Sequence, residues 1–292
     1  MRDYSPRVLA ELLPFPQEKD HKYSRGKLVL VGGSSIFPGA AALAVVAAQR
    51  AGAGYTEAYV AAQNTDLVRG AALSAVVRPW EDLETAKLPL PKAGKPCAYV
   101  LGCGLCTMEK EGPRLLEMLL GFEAPLLLDG GALTFLADSS ARERCVARQE
   151  KGLTTVMSPH AGEAARLLSI LSEDAQAQAA AGPAEAAAVL AQAYGVTCVL
   201  KGSDTYISNG VDSYCMSEGT AALAKAGTGD VLAGIIGALL AQGMDSFDAC
   251  VLGSTLHAHA GNLAAEGFSS IAVIPEDVIN YLPQAIKRLS AL

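Results

Sequence analysis

The stretch AGTGDVLAGIIGALLAQG, Ala226 to Gly243, sets two glycines around a threonine and follows them directly with an aspartate. Beyond Asp230, the apolar residues Val231, Leu232, Ile235, Ile236, Leu239 and Leu240 recur at helical spacing, with small residues between them and Gly243 where a C-terminal cap belongs. The pattern predicts a tightly packed helix whose free N–H groups and positive dipole end lie at the glycine turn. That is an anion site suited to phosphate. Asp230 then has two readings. As an N-cap or first-turn acid it stabilises the helix by about 1 kcal/mol. As a general base it takes the proton of a substrate hydroxyl that attacks a phosphoryl group. Thr228 offers an alternative cap, and a carboxylate beside phosphate is unfavourable unless it moves a proton or holds a metal. The balance moves toward catalysis.

Other segments supply groups that suit the same chemistry. Lys201-Gly202-Ser203-Asp204-Thr205 follows the apolar run VTCVL; a lysine there neutralises phosphate and the following residues offer N–H and hydroxyl donors, unless the segment is simply a polar turn between strands. His160 in SPHAGE stands just before a helix, either solvated in its turn or facing the cleft as a donor to a substrate oxygen. Asp129 ends PLLL and is left open between a metal, a water and a backbone N–H. Cys103-Gly104-Leu105-Cys106 is formally C-x-x-C, but without a second pair or a nearby histidine it reads as a tight strand-to-loop turn. His257 and His259 lack metal-ligand spacing and read as structural. Neither a P-loop nor a G-x-G-x-x-G helix opening is present, so any nucleotide is held in another way.

These loops need a frame. KLVLVGGSS, TEAYVAA, AYVLGCGL, PLLLDGGAL, TTVMSPH, VTCVLKGSDT and YISNG are apolar or β-branched runs that end in turn residues. Helical stretches follow in GAAALAVVAAQRAGAG and lie at Gly112 to Leu120, Ala161 to Leu168 and Ala184 to Tyr194. Continuous apolar strands are buried on both faces, which predicts a mostly parallel sheet covered by helices on both sides. Ligands of such a sheet collect at the carboxyl ends of its strands, so the turns above share one edge and one cleft. The alanine-dense segment Ala175 to Ala188 reads as a surface helix, and Leu83 to Pro96 as an exposed connection within one domain, residues 1–292.

Composition limits the partners. With 51% hydrophobic and 18% charged residues over 292 positions, the chain reads as a folded globule, and a net charge of -7 argues against nucleic acid or an anionic membrane. The N-terminus lacks a secretory h-region and no apolar run is long enough to span a membrane, which points to the cytoplasm. Seven scattered cysteines fit free thiols, and no disulfide is expected.

HKYSRGKLVLVGGS, GAAALAVVAAQRAGAGY, LGCGL, LLLDGGAL, SPHAGEAARLL, LKGSDT and AGTGDVLAGIIGALLAQG, in this order, resemble the ADP/ATP-dependent NAD(P)H-hydrate dehydratases of the ribokinase-like superfamily. The resemblance runs from about His21 to the last helix. GTGD is shared across the superfamily, while the opening HK-x(3)-G-K-x-L-V-x-G-G-S and P-H-A-G-E narrow it to the dehydratases. It implies a three-layer α/β/α fold and repair of hydrated NADH and NADPH: ADP or ATP phosphorylates the ring hydroxyl, and phosphate then leaves. By motif match, Ala40, Gly104, His160 and Asp230 contact the hydrated nicotinamide nucleotide, with Asp230 as base. Lys201, Gly202, Ser203, Asp204, Thr205 and Gly229 hold the donor nucleotide, whose phosphates carry Mg2+. The resemblance also implies a homo-oligomer, and the length before His21 implies that the partner epimerase is a separate chain. Three places depart from the family pattern. G-P-G-L-G is here Gly102-Cys103-Gly104-Leu105-Cys106, D-A-D-A/G-L is Asp129-Gly130-Gly131-Ala132-Leu133 without its second acid, and N-P-G-M-A-x-G is a varied GTAALAK. The same base and anion site would also serve a kinase of a thiazole or pyridoxine-like alcohol, and the missing acid would suit a catalytically weak nucleotide-binding relative.

Overall fold

The computed structural model describes residues 4–106, 108 and 110–292. In chain order the strands are β1 (Lys27–Val31), β2 (Tyr55–Val60), β3 (Val76–Pro79), β4 (Cys97–Leu101), β5 (Leu126–Leu128), β6 (Thr155–Met157), β7 (Thr197–Leu200), β8 (Thr205–Ser208) and β9 (Ser213–Met216). They form one sheet in the order β3-β2-β1-β4-β5-β6-β7-β8-β9. Strands β1 to β7 pair in parallel, and β8 and β9 add an antiparallel edge. The helices are α1 (Pro6–Glu11), α2 (Pro38–Arg50), α3 (Thr65–Ala71), α4 (Glu111–Leu120), α5 (Gly131–Leu136) and α6 (Ser139–Glu150). They continue with α7 (Ala161–Leu168), α8 (Glu173–Ala179), α9 (Pro183–Tyr194), α10 (Thr228–Ala241), α11 (Ser246–Phe268) and α12 (Pro275–Leu289).

Successive strand residues point to opposite faces. Leu28, Leu30, Val100, Leu127 and Val156 therefore join a core under α2, α3, α10, α11 and α12. Val29, Val31, Leu101, Leu128 and Met157 join a second core under α4 to α9. The sheet is apolar on both sides, which makes its strands read as unbroken hydrophobic runs. The expected three-layer α/β/α fold with a mostly parallel central sheet is borne out.

One element differs from the sequence reading. The alanine-dense segment is not a single helix: α8 ends at Ala179, and α9 starts afresh with Pro183 in its first turn. Proline lacks the N–H that a continuing helix needs and fits the start of a new one.

Register builds the site. Val31 pairs with Leu101, Leu101 with Leu128, and Leu128 with Met157, so these strands end level. The residue after each strand is bonded to its neighbour: Gly102 N–H donates to the Val31 carbonyl at 3.0 Å, Asp129 to Leu101 at 3.0 Å and Ser158 to Leu128 at 3.1 Å. Lys201 N–H continues the row by donating to the Pro159 carbonyl at 2.8 Å. Residues far apart in sequence thus stand side by side along one edge.

Candidate active site

Helix α10 starts directly after its N-cap Gly227, whose φ is 99°, and no side chain caps it. The Thr228 hydroxyl donates backward to the carbonyls of Leu223 at 2.7 Å and Lys225 at 2.9 Å, so the threonine is not the cap that its position allowed. Asp230 makes no capping bond either. The Thr228 N–H donates to Lys225 and the Val231 N–H to Gly227, which leaves those of Gly229 and Asp230 as donors for an anion. Behind them, α10 is buried from Val231 through Ala241 and cannot shift without disturbing the core.

Two carboxylates meet in front of this turn. Asp129 is 3% exposed and accepts from Lys201 Nζ at 2.6 Å and Ser158 Oγ at 2.7 Å. In place of the metal, water or backbone N–H left open for Asp129, the structure sets an ammonium and a hydroxyl against it. Asp230 has its pKa raised to about 7, first by burial and then by the charge of Asp129, against the pull of Lys201 and a hydrogen bond from Cys103. Burial disfavours charge on Lys201, but Asp129, Glu163 and Asp230 outweigh it and hold its pKa above the ordinary value. Lysine 201 therefore stays an ammonium between three acids. Cys103, wholly buried, completes the cluster; its sulfur and the carboxylate oxygens of Asp129 and Asp230 lie within 4.8 Å of one another.

This donor set does not suit a resident Mg2+, which prefers six oxygen ligands in octahedral array. One donor is a thiol, and Asp129 is already bonded to an ammonium. Lys201 is the cation among these carboxylates.

On one side of Asp230, a groove of about 440 Å³ runs between α7, the α8–α9 break and the β7–β8 turn. Ala164, Leu168 and Ala186 give it apolar walls, and Lys201, Ser203 and Tyr206 border it. A flat heteroaromatic ring with a charged tail fits such a surface. On the other side, the position of a Cβ on Gly104 would lie 2.7 Å from the Ala40 Cβ, so the β4 loop touches the first turn of α2. Asp230 connects the two sides, through Cys103 to one loop and through Lys201 to the other.

A family model for NAD(P)H-hydrate dehydratase matches residues 28–284. The chain belongs to this family. It is 37% identical over 268 residues to the ADP-dependent (S)-NAD(P)H-hydrate dehydratase of Neisseria meningitidis serogroup B, covering 89% of this chain and 86% of the relative. The bifunctional NAD(P)H-hydrate repair enzyme Nnr of Escherichia coli is 31% identical over 288 residues; the match takes in 97% of this chain and 52% of that protein. This chain thus spans about half the length of the bifunctional relative. The ADP/ATP-dependent NAD(P)H-hydrate dehydratase from Bacillus subtilis, co-crystallised with ATP/Mg2+, has a TM-score of 0.79 at 26% identity, over 98% of this chain and 97% of that one.

For this member of the dehydratase family, the residues singled out from sequence divide by position. Gly229 reaches Lys201: a Cβ on it would lie 3.4 Å from Nζ. Gly202 and Ser203 are exposed at the groove rim, Asp204 is half-buried beside them, and Thr205 is buried in β8. Lys201 itself points at Asp129. His160 caps α7 through Nδ1, which accepts from the N–H groups of Gly162 at 3.0 Å and Glu163 at 3.3 Å, while the ring stays mostly exposed. Its backbone pairs with Lys201, placing it at the cleft edge.

Sequence reasoning did not assign the roles of two residues, and it read a third, His257, as structural. Glu163 bonds the His160 N–H at 2.8 Å and adds negative charge near Lys201; the H-x-x-E spacing of a capping box was its signal. Ser158 holds Asp129, and only its place directly after β6 hinted at this. His257 is buried with its pKa lowered to about 4 by burial, faces the Thr228 backbone, and has no hydrogen-bond partner for Nε2 among the described residues. His259, by contrast, contacts Glu218 at 2.7 Å at the surface. The departures from the family pattern also connect. A Cβ on Gly131 would lie 1.8 Å from the Leu105 carbonyl oxygen, so the 102–106 loop fills the space that a second acid would need.

Proposed function

We propose that this protein uses ADP or ATP to dehydrate the hydrates of NADH and NADPH. One observation carries the reading: a buried carboxylate, Asp230, titrates near neutrality beside the two outward N–H groups of a helix start. That pairing suits proton removal from a hydroxyl at the place where phosphoryl charge is held. Asp230 takes the proton of the ring hydroxyl. The oxygen then bonds to the terminal phosphorus of the donor as the bond from that phosphorus to the rest of the nucleotide breaks. The carbon–oxygen bond then breaks with its electron pair leaving on phosphate. The adjacent ring carbon gives its proton to water or the departing phosphate, and the C–H pair forms the double bond that restores the dihydropyridine. Gly229 and Asp230 N–H groups bind the transferring phosphoryl oxygens, and Lys201 supplies fixed positive charge next to them.

The groove along Lys201 to Thr205 suits the donor's base and sugar. The side formed by Ala40, Gly104 and His160 suits the hydrated nicotinamide nucleotide. The B. subtilis relative was crystallised with ATP/Mg2+; here we assign Mg2+ to the donor's phosphates, in keeping with the poor fit of the protein's own groups. The sheet that runs through the whole fold supports residues 1–292 as one catalytic domain, which we expect to act as a cytoplasmic homo-oligomer alongside a separate epimerase. No helix among the described residues is long and apolar enough to cross a membrane.

The test is to incubate the protein with hydrated NADH, Mg2+ and ADP or ATP and follow dihydronicotinamide absorbance. Its return supports the reading, and no return with either donor refutes it. A product that keeps its phosphate would instead identify a small-alcohol kinase, and nucleotide binding without turnover a catalytically weak relative.

A further inference from the structure

Cys103 has an unusual address for a thiol. It sits between Gly102 and Gly104, whose φ angles of 121° and 69° belong to the left-handed region that glycine tolerates. The loop is held at each backbone position around it. The Gly102 N–H donates to Val31 at 3.0 Å, the Cys103 carbonyl accepts from Gly33 at 2.8 Å, and the Gly104 carbonyl accepts from Ser34 at 2.8 Å. With the backbone fixed and the residue wholly buried, the side chain has little freedom. Its sulfur lies within 4.8 Å of a carboxylate oxygen of Asp129 and of Asp230. The proline usual in the family pattern at this place has no side-chain donor.

We propose that Cys103 is a positioning residue for Asp230: its thiol donates to the carboxylate and holds the base in register with the phosphoryl site. The proposal rests on Asp230 acting as the base of the dehydration. Burial pushes the Cys103 thiol well above its ordinary range, so it stays protonated and is the donor in the pair. Donation to the charged form favours ionisation of Asp230, opposing burial and Asp129, which raise its pKa. The thiol thus tethers the carboxylate and makes it available as a base closer to neutrality. Lone pairs beyond the one facing sulfur remain for the substrate hydroxyl.

The other groups that set this titration are Asp129 after β5, Lys201 after β7 and Glu163 on α7. His257 on α11 faces Thr228 and is neutral at neutral pH, its pKa lowered to about 4. Helix α2, packed along α10, has Arg50 as its only charged residue, at its far end. Helix α12 brings exposed Glu276 and half-buried Asp277 to its own first turn, where Asp277 bonds the Ile274 N–H. Strands β1 and β4 contribute Lys27, Cys97 and Tyr99, which lie toward the amino end of the sheet. Cys103 is the neutral donor of this set on Asp230.

Two measurements test this. The first is the pH profile of dehydration for Cys103→Ala and Cys103→Ser. Losing the thiol should move the acid limb up by about half a pH unit, roughly threefold slower turnover at pH 6, and the serine hydroxyl, a stronger donor, should return the limb to the wild-type position or below it. The second needs no turnover: the S–H stretching band of Cys103, isolated by difference against Cys103→Ala, should shift to lower frequency as pH rises through neutrality and stay fixed in Asp230→Asn. A band that does not titrate in the wild type, or titrates equally in Asp230→Asn, overturns the proposal. So does an unchanged acid limb in a Cys103→Ala protein whose melting temperature matches wild type. If the alanine variant does not fold, the serine variant supplies both the profile and the difference spectrum. If no donor supports dehydration, the functional reading fails while the infrared titration still decides the role of the thiol.

Discussion

The end of β5 and the first turn of α10 each deliver a carboxylate to the same cleft, and the two are treated differently. Asp129 is met at Oδ1 by Lys201 at 2.6 Å and Ser158 at 2.7 Å, so its carboxylate is held by two fixed bonds. Asp230 has no such ion pair among the described residues; burial and the charge of Asp129 raise its pKa to about 7. One region holds charge in place, and the other leaves a group whose proton can come and go at working pH. Neighbouring acids divided in this way are how a site assigns a base within a cluster of like groups. Asp129 thereby serves Asp230 twice, by raising its pKa and by fixing the ammonium that offsets their repulsion.

Removing the mobile member should have the largest effect. Asp230→Asn is expected to lower turnover by about 10² or more while nucleotide binding, read by calorimetry, is largely kept. Lys201→Met attacks the fixed member by leaving Asp129 buried without its counter-ion. We expect a loss of about 3 kcal/mol in denaturant unfolding, with turnover falling by roughly tenfold or more as the cluster rearranges. Stability should separate the two carboxylates in another way. Because the folded pKa of Asp230 lies above its ordinary 3.8, ionisation costs stability; the cost is absent below about pH 4, grows as pH rises, and is complete above about pH 7. Asp230→Asn should therefore be more stable than wild type at pH 8, by up to about 4 kcal/mol, and show little of that gain at pH 4. Equal melting differences at both values would return Asp230 to an ordinary structural acid.

Smaller effects sharpen the division between chemistry and binding. Ala186→Leu would fill part of the groove beside Lys201, and KM for the nucleotide should rise by about tenfold with kcat changed little. His160→Ala removes the α7 cap at a cost of about 1 kcal/mol in thermal unfolding, with any further loss appearing in KM for the nicotinamide nucleotide.

The features legible in the sequence were the local ones. The GTGD helix, with its apolar spacing and trailing glycine, forms from Thr228 to Ala241, and the turn-ending apolar runs form strands; the parallel ones end at one edge, whereas β8 runs antiparallel and the YISNG turn lies at the other. What escaped the sequence depends on partners far along the chain. Lys201 reads as a phosphate ligand until the fold sets it against Asp129, 72 residues away. Asp129 could equally have faced a metal until that lysine and Ser158 reached it. Register, not composition, makes these contacts. The break at Gly182-Pro183 was visible as a helix stop, but the alanines on both sides outweighed it. The role of Gly131 was unreadable because the carbonyl that crowds it belongs to Leu105 on another loop.

The most direct test is the rate at which hydrated NADH regains dihydronicotinamide absorbance with ATP, measured from pH 5 to 9 for wild type and Asp230→Asn. The wild-type rate should climb about tenfold per pH unit below an acid limb near 7, and the variant should be slow throughout and lack the limb. A wild-type profile flat across neutrality, or a variant that keeps both the rate and the limb, would contradict Asp230 as the base.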